Sequence, residues 1–342
     1  MGGTMMIPCL EPDHILELNR DLEPFIIQGS VGRSRFWGDA YKPLQFVHLS
    51  DIHTRSDLWN RMVDFVNHYQ NFISFALHTG DYCGASQLSY NDLYAAQEVP
   101  CARPILNCVG NHDCEANSDW AKGTPCFATQ ESVHRLLFNH TEDWSVTFMP
   151  GETPTSYYQD FPEANIRLIV LDLYNEKEAH TAWLKGLLDE AKEKGLHVIT
   201  AMHQMSAGLS TVPESTFTTY HDYEARFGKK GKTVYEDTIA EFIAGGGIHV
   251  CNLAGHEHRD YFGITAGGVL NVTVECATAW HDWSDGVRIP GSRTFDCFNV
   301  VSVDVNVGML KLLRVGNNCD HLLRAKRALC YDYVNKKVVF NG

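Results

Sequence analysis

The sequence contains no apolar run long enough to cross a membrane and no extended block of basic residues. A membrane-spanning helix needs about 18 or more consecutive apolar residues, and none occurs among the 342 residues. The 28 Lys and Arg are outnumbered by 42 Asp and Glu, which gives a formal net charge of −14. We therefore expect no membrane partner and no broad nucleic-acid surface, while a local site for one phosphate stays open.

The cysteines form neither a C-x-x-C pair nor a disulfide framework. Their number, 11, is odd, and Cys108, Cys251, Cys276 and Cys297 lie within apolar, strand-like runs. Disulfide frameworks are typical of small secreted chains. The N-terminal residues also lack the basic region of a secretory signal. We expect reduced thiols and a cytoplasmic location.

No internal repeat and no low-complexity linker divides the chain. Its hydrophobic content of 44% is enough to bury a core, which excludes global disorder. Residues 1–43 lack a sustained periodicity, and we expect them to form a leader that packs on one main domain over residues 44–342.

Strands and helices alternate from Leu44 onwards. Short apolar runs predict strands over 44–49, 73–77, 104–109, 166–173, 197–201 and 249–253, followed by β-rich segments over 269–275, 297–305 and 309–315. Longer amphipathic stretches predict helices over 56–72, 91–99, 179–194 and 234–243. This order predicts a layered α/β fold with one or two mixed sheets.

Five of the predicted strands are each followed immediately by polar residues of the types that bind metals. Sites in open α/β sheets form beyond the carboxyl ends of the strands, so these five strand ends can converge on one point. The residues are Asp51, His53, Asp81, Asn111, His112, His203, His256 and His258.

Apart from His112, this set offers two Asp, one Asn and four His as ligands. Imidazole and carboxylate ligands suit divalent first-row metals such as Mn, Fe, Zn, Ni and Co, and the lack of cysteine among them argues against a closed structural zinc site. Seven ligands are too many for one ion. Two ions about 3.5–4 Å apart, bridged by one carboxylate, would use them all.

The motifs that carry these residues differ in specificity. A D-x-H or a G-D pair occurs by chance in a chain of this length, whereas G-N-H-D and G-H-x-H are rare. The chain has D-x-H at 51–53, G-D at 80–81, G-N-H-D at 110–113, a lone His203 after a strand, and G-H-x-H at 255–258. In this order and context the chain resembles the calcineurin-like metallophosphoesterase superfamily, from Leu44 to about Val315.

The resemblance implies a sandwich of two mixed β-sheets flanked by helices, with two metal ions in one site. Asp81 would bridge the two ions. One ion would be held by the residues matching Asp51, His53, Asp81 and His258, and the other by those matching Asp81, Asn111, His203 and His256.

The resemblance also implies hydrolysis of a phosphate monoester or small phosphodiester. Two divalent (or mixed-valence) ions would activate a bridging hydroxide, which attacks phosphorus in line. His112 matches the catalytic histidine of the family and would stabilise the developing charge or protonate the leaving group. The substrate-binding residues and the oligomeric state stay undetermined at this point.

Two positions depart from particular branches of the family. Gly84 stands where many relatives place an aspartate that orients the catalytic histidine, and where purple acid phosphatases place a metal-binding tyrosine. Asp113 is a candidate for orienting His112 by adjacency alone. The protein Ser/Thr phosphatases continue into Asp-Arg-Gly and use G-N-H-E, whereas this chain reads Gly80-Asp81-Tyr82-Cys83-Gly84 and has Asp113 in place of that glutamate.

Three other functions compete with this prediction. A phosphodiesterase acting on a nucleotide or a nucleic-acid end would use the same chemistry, although the net charge of −14 disfavours long polyanions. A non-catalytic metal-binding scaffold is expected to have lost ligands, and a single-metal structural protein needs fewer.

Aromatic residues in 204–233 and 280–283 could stack on a base or sugar, or pack on the surface.

Overall fold

The computed structural model describes residues 13–31, 40–53, 56–82, 100–113, 145–152, 154–174, 178–208, 231–277, 288–289, 291–317 and 327–342, together with His134 and Phe138. The helices are α1 Asp13–Leu18, α2 Glu23–Val31, α3 Ser56–His68, α4 Glu178–Lys194 and α5 Glu236–Ala244. Single 3-10 turns cover Arg20–Leu22, Asn111–Asp113 and Pro162–Ala164. None of these described helices is long and apolar enough to cross a membrane.

Fourteen strands follow one another along the described chain. The first seven are β1 Leu44–Leu49, β2 Ala76–His78, β3 Ile105–Asn107, β4 Thr147–Phe148, β5 Tyr157–Phe161, β6 Ile166–Val170 and β7 His197–Ala201. The other seven are β8 Ile248–Ala254, β9 Phe262–Ile264, β10 Leu270–Thr273, β11 Cys297–Asp304, β12 Met309–Gly316, β13 Ala328–Asp332 and β14 Lys337–Asn341.

These strands form two seven-stranded sheets. The first has the order β14-β13-β12-β11-β1-β2-β3, and the second has the order β4-β5-β6-β7-β8-β10-β9. Each sheet contains a parallel part, β1-β2-β3 in the first and β6-β7-β8-β10 in the second, bordered by antiparallel strands. The predicted architecture of two mixed sheets flanked by helices is confirmed.

Burial explains why the central strands have continuous apolar sequences. Every residue of β1, β6 and β7 is buried, as expected for strands that are covered on both faces. One buried apolar cluster contains side chains of both sheets, among them Phe46 and Leu253. A second cluster packs α4 and α5 on the second sheet through Leu184 and Ile239. Each fully buried side chain of this kind contributes about 1.5–3 kcal/mol.

Several elements fall outside the sequence predictions for identifiable reasons. The sequence of helix α2 has no apolar stripe that separates a buried face from an exposed one. Its large apolar residues lie on both faces: Phe25 is 57% exposed, whereas Ile26 is buried. Strand β14 is exposed along its whole length, including Val338 and Phe340, which explains why it was missed. Its partner β13 was not predicted either. The short strands β4, β5 and β9 were also missed. The predicted helix over 91–99 lies outside the described residues.

The described part of the N-terminal segment packs on the first sheet. Ile15, Leu22 and Ile26 belong to the same buried cluster as the sheets. The Ser302 hydroxyl of β11 donates a hydrogen bond to the carbonyl of Gly29 at 2.7 Å. The division into a leader over 1–43 and a domain over 44–342 stays a prediction.

Arg314 forms a buried ion-pair cluster that ties the two sheets together. It extends from β12 of the first sheet and pairs with Asp260 and Glu275, which follow β8 and β10 of the second. Its Nε donates to Asn299 Oδ1 at 3.0 Å. Because buried charges are costly unless they are paired, these ionised groups depend on one another.

Replacing Arg314 with Met should lower the free energy of unfolding by about 3–5 kcal/mol, since Asp260 and Glu275 would stay buried without their partner. Chemical denaturation followed by circular dichroism measures this loss. Lys185→Met, which breaks the exposed pair with Asp189 on α4, is the control and should change stability little. An Arg314→Met loss as small as that of the control would contradict a role in holding the sheets together.

Candidate metal centre

All eight predicted site residues lie at the carboxyl ends of parallel strands. The first sheet contributes five positions beyond β1, β2 and β3, and the second sheet contributes three beyond β7 and β8. The loops after these strands meet at one end of the sandwich. The eight residues are Asp51, His53, Asp81, Asn111, His112, His203, His256 and His258.

One group of ligand atoms forms around Asp51. Its Oδ1 lies 3.2 Å from His258 Nε2 and 3.9 Å from His53 Nε2. The two imidazole nitrogens lie 3.2 Å from each other. Three predicted ligands from both sheets therefore direct their donor atoms at one point.

A second group forms around His203. Its Nε2 lies 3.0 Å from Asn111 Oδ1, 3.2 Å from Asp81 Oδ2 and 3.0 Å from His256 Nδ1. These four residues form the second ligand set that the resemblance implied.

Asp81 lies where the two groups meet. A carboxylate oxygen of Asp81 and ring nitrogens of His53 and His112 lie within 4.8 Å of one another. A carboxylate oxygen of Asp81 also lies within 4.8 Å of ring nitrogens of His203 and His256, which are equally close to each other. His112 is partly accessible, with a side-chain exposure of 25%, and its Nε2 is 3.8 Å from Asp81 Oδ2. One carboxylate can therefore serve both groups, with His112 beside it.

The donor atoms fit metal ions. Asp51 Oδ1 is buried and, within the described part of the chain, accepts no hydrogen bond, although two imidazole nitrogens lie close to it. Two ring nitrogens 3.2 Å apart cannot both present lone pairs to each other without a positive charge between them. Nitrogen and carboxylate oxygen are ligands for Mn, Fe, Co, Ni and Zn. The residues are thus suited to a dinuclear centre.

Burial keeps two of the imidazoles neutral. It lowers the pKa of His256 to about 3 and that of His53 to about 4. A neutral imidazole has one ring nitrogen with a free lone pair, which is the form that binds a metal. Both side chains are therefore in the right state at neutral pH.

The two carboxylates favour positive charge inside the site. Burial by itself would raise the pKa of Asp81, but His203 and His112 hold it well below its usual value. In turn, burial lowers the pKa of His203 and Asp81 raises it, with a net rise to about 9. Asp81 thus stabilises positive charge at the position of His203 Nε2.

The backbone is strained at the ligand positions. Among the described residues other than glycine, eight have a positive φ, and five of them are predicted metal ligands. The left-handed conformation costs about 1–2 kcal/mol per residue, and such strain clusters at functional sites. The five are Asp51, His53, Asp81, His256 and His258.

Buried carboxylates fasten the loops of the centre to one another. Asp51 Oδ2 accepts the backbone N–H of His256, and Asp81 Oδ1 accepts that of His112, both at 2.8 Å. Asp113 Oδ2 accepts the backbone N–H groups of Asp81 and Gly110, both at 2.9 Å. Asp113 was a candidate for orienting His112; through these two bonds it fixes the loops that carry the metal ligands.

Two residues near the centre were missed by the sequence analysis. Cys276 was expected only to be a reduced thiol within an apolar, strand-like run, and its Sγ lies within 4.8 Å of ring nitrogens of His53 and His258. Its position after β10 repeats the strand-end rule that identified the ligands. Gln204 follows His203 directly and contacts His256. The aromatic residues expected near the site, in 209–230 and 280–283, and Gly84 lie outside the described residues.

The structure thus combines two mixed sheets with two groups of side chains that could hold metal ions. The family model of the calcineurin-like phosphoesterases matches residues 44–260, which is more than half of the chain. The chain belongs to this family. A comparison with curated protein sequences finds no significant match.

Two solved structures of phosphatases are similar to this chain to different degrees, and the likeness in fold rests on the first. A dimetal phosphatase from Danio rerio is similar with a TM-score of 0.52 and 11% identity, over 80% of this chain and 96% of that one. A purple acid phosphatase from yellow lupin (Lupinus luteus) seeds has a TM-score of 0.46 and 14% identity, over 88% of this chain and 53% of that one.

The glycines of the motifs permit the close approach of the loops. A Cβ on Gly255 would overlap the Ser50 hydroxyl and lie 2.5 Å from Asp51 Oδ2, and one on Gly110 would overlap Asp81. The first residue of the G-H-x-H motif must therefore be glycine because no side chain fits at this point of the centre. It does not itself bind a metal.

Gly255→Ala should reduce bound metal and lower stability by about 1–3 kcal/mol, because the added methyl group forces Ser50 and Asp51 apart. Elemental analysis and thermal unfolding measure the two effects. Gly186→Ala on α4, where a Cβ meets nothing within 4 Å, is the matched control and should keep the full metal content. Normal metal content in Gly255→Ala would refute the steric explanation.

Proposed function

We propose that the chain hydrolyses a phosphate monoester or a small phosphodiester with two bound metal ions. The observation that carries the proposal is the sharing of Asp81 by two complete ligand groups, with His112 beside it. A bridging carboxylate between two such groups is the arrangement that two-metal hydrolysis requires.

Each of the two groups described above would hold one metal ion. Asp51, His53, Asp81 and His258 would hold one ion, and Asp81, Asn111, His203 and His256 the other. When bound, the two ions would lower the pKa of a water molecule and polarise the phosphate oxygens as Lewis acids. The donor set supports Mn, Fe, Zn, Ni or Co as the bound metals.

His112 is proposed as the catalytic acid. Its backbone N–H is tied to Asp81 Oδ1, which holds the 3-10 turn Asn111–Asp113 against the bridging carboxylate. Its ring is partly exposed and packs edge-on against His53 with the centroids 5.1 Å apart. From there the ring can donate a proton to the leaving oxygen or stabilise its charge.

The intact ligand set favours an enzyme over a non-catalytic scaffold. The sequence retains all seven proposed ligands and His112, and the backbone holds five of these seven residues in a strained conformation. A scaffold has no need of either feature. A small phosphorylated substrate fits the net charge of −14 better than a long polyanion does, so a nucleotide or nucleic-acid-end phosphodiesterase remains the second candidate.

Hydrolysis of para-nitrophenyl phosphate and of its bis-ester by the Mn-loaded chain tests this proposal. We expect turnover that a chelator abolishes and that added Mn restores. The ratio of the two rates measures whether the site admits a second ester arm. Two bound metal equivalents without turnover of either ester, or of a panel of nucleotides, would favour the scaffold.

Asp81→Ala should remove activity and at least one metal equivalent, because both ligand groups lose a member. Metal content and ester hydrolysis are measured on the same sample. Asp189→Ala, at an exposed position of α4, controls for the loss of a carboxylate. Full activity with two ions retained would exclude Asp81 as the bridge.

His112→Ala should lower kcat by about 100- to 10,000-fold, the range for loss of a general acid, while both metal equivalents stay bound. The activity assay and elemental analysis separate these two effects. Loss of metal in this variant would mean that His112 is a ligand and not the catalytic acid.

A further inference from the structure

Gln204 is a buried residue beside the second ligand group that the proposed reaction does not yet use. It follows His203 at the end of β7 and is 2% exposed. Its terminal amide lies between two rings: one amide atom, Nε2, is 3.0 Å from the Tyr174 hydroxyl and 3.4 Å from His256 Nε2.

His203 shows what a ligand histidine needs from its surroundings. Its Nδ1 lies 2.7 Å from the carbonyl oxygen of Thr79, which can only accept a hydrogen bond. The Nδ1 atom must therefore carry a proton, and Nε2 faces Asp81 and Asn111. An acceptor on the outer nitrogen thus fixes the inner nitrogen as the ligand atom.

His256 has the opposite ring orientation and needs the same help. Its Nδ1 is the nitrogen that faces His203, at 3.0 Å. If Nδ1 binds the metal, the ring proton must be on Nε2, and Nε2–H needs an acceptor. The group opposite Nε2 is the amide of Gln204.

The oxygen of Gln204 satisfies this requirement. The oxygen and nitrogen of an amide exchange places by a half-turn of the terminal group, so that either can occupy the position between the two rings. An oxygen there accepts from His256 Nε2–H and from the Tyr174 hydroxyl together, whereas a nitrogen there would donate to a ring nitrogen that already carries a proton. Tyr174 is held in turn by its backbone N–H, which donates to Asp172 Oδ1 at 2.7 Å.

We propose that Gln204 is a positioning residue of the metal centre: its carbonyl oxygen accepts from His256 Nε2–H, with Tyr174 fixing the amide, and so makes His256 Nδ1 a metal ligand. The inference depends on the proposed dinuclear centre. It assigns Gln204 to the ion held by His203 and His256, and leaves the ion held by Asp51, His53 and His258 unaffected.

The test compares the affinities of the first and second metal equivalents in the full chain, with Co²⁺ as the probe and a chromophoric chelator as the competitor. Gln204→Leu removes the acceptor and should weaken one equivalent by about 10- to 100-fold. Gln204→Glu keeps an acceptor oxygen and should retain most of the affinity. Tyr174→Phe should cause a smaller loss than Gln204→Leu, because the acceptor stays but is no longer fixed.

Gln45→Leu is the matched control. Gln45 is also a glutamine with an exposure of 2%, and its amide bonds the carbonyls of Ile26 and Phe72, away from the centre. This variant should bind both equivalents with unchanged affinity, even if its thermal stability falls. It therefore separates the loss of a buried amide from the loss of this particular acceptor.

Three results would overturn the inference: unchanged affinity in Gln204→Leu, equal losses in the Leu and Glu variants, or equal weakening of both metal equivalents. The measurement does not depend on turnover. If the chain binds two ions and shows the expected pattern but hydrolyses no ester, the proposed function fails and the role of Gln204 stands.

Discussion

The two buried aspartates that follow β1 and β2 are the constraint on which the rest of the centre depends. Asp51 and Asp81 each give one oxygen to a backbone N–H of another loop and direct the other oxygen at imidazole nitrogens. The same carboxylates therefore hold the loops together and form the ligand groups. Since burial opposes their charge, they are stable as anions only because positive charge or hydrogen-bond donors surround them.

This constraint explains the strained backbone around the site. A left-handed residue lets a carboxylate or imidazole turn back from a strand end into a crowded point, and glycine cannot supply the ligand. The chain places Asp51, His53 and Asp81 in that conformation and puts glycine next to them in sequence or space. The cost of about 1–2 kcal/mol per residue is offset by the bonds between the loops and by the packing of the two sheets.

The sequence was informative where function depends on position along a strand. Short apolar runs predicted β1, β7 and β8, and the residues after them are the ones that converge. It was uninformative where the outcome depends on contacts distant in sequence. Gln204 acts on a histidine 52 residues away, which no local pattern encodes. Likewise, β14 exposes Val338 and Phe340, so that no alternation marks it as a strand.

Each ligand group combines residues from both sheets. The ligands before residue 113 come from the first sheet and those after residue 200 from the second, so that either ion would be bound jointly by two halves of the chain that are far apart in sequence. The binding free energy of a metal held in this way is also free energy of association between the sheets. The centre would thus act as a cross-link in a protein without a disulfide among its described cysteines, and removal of its ions would lower the free energy of unfolding.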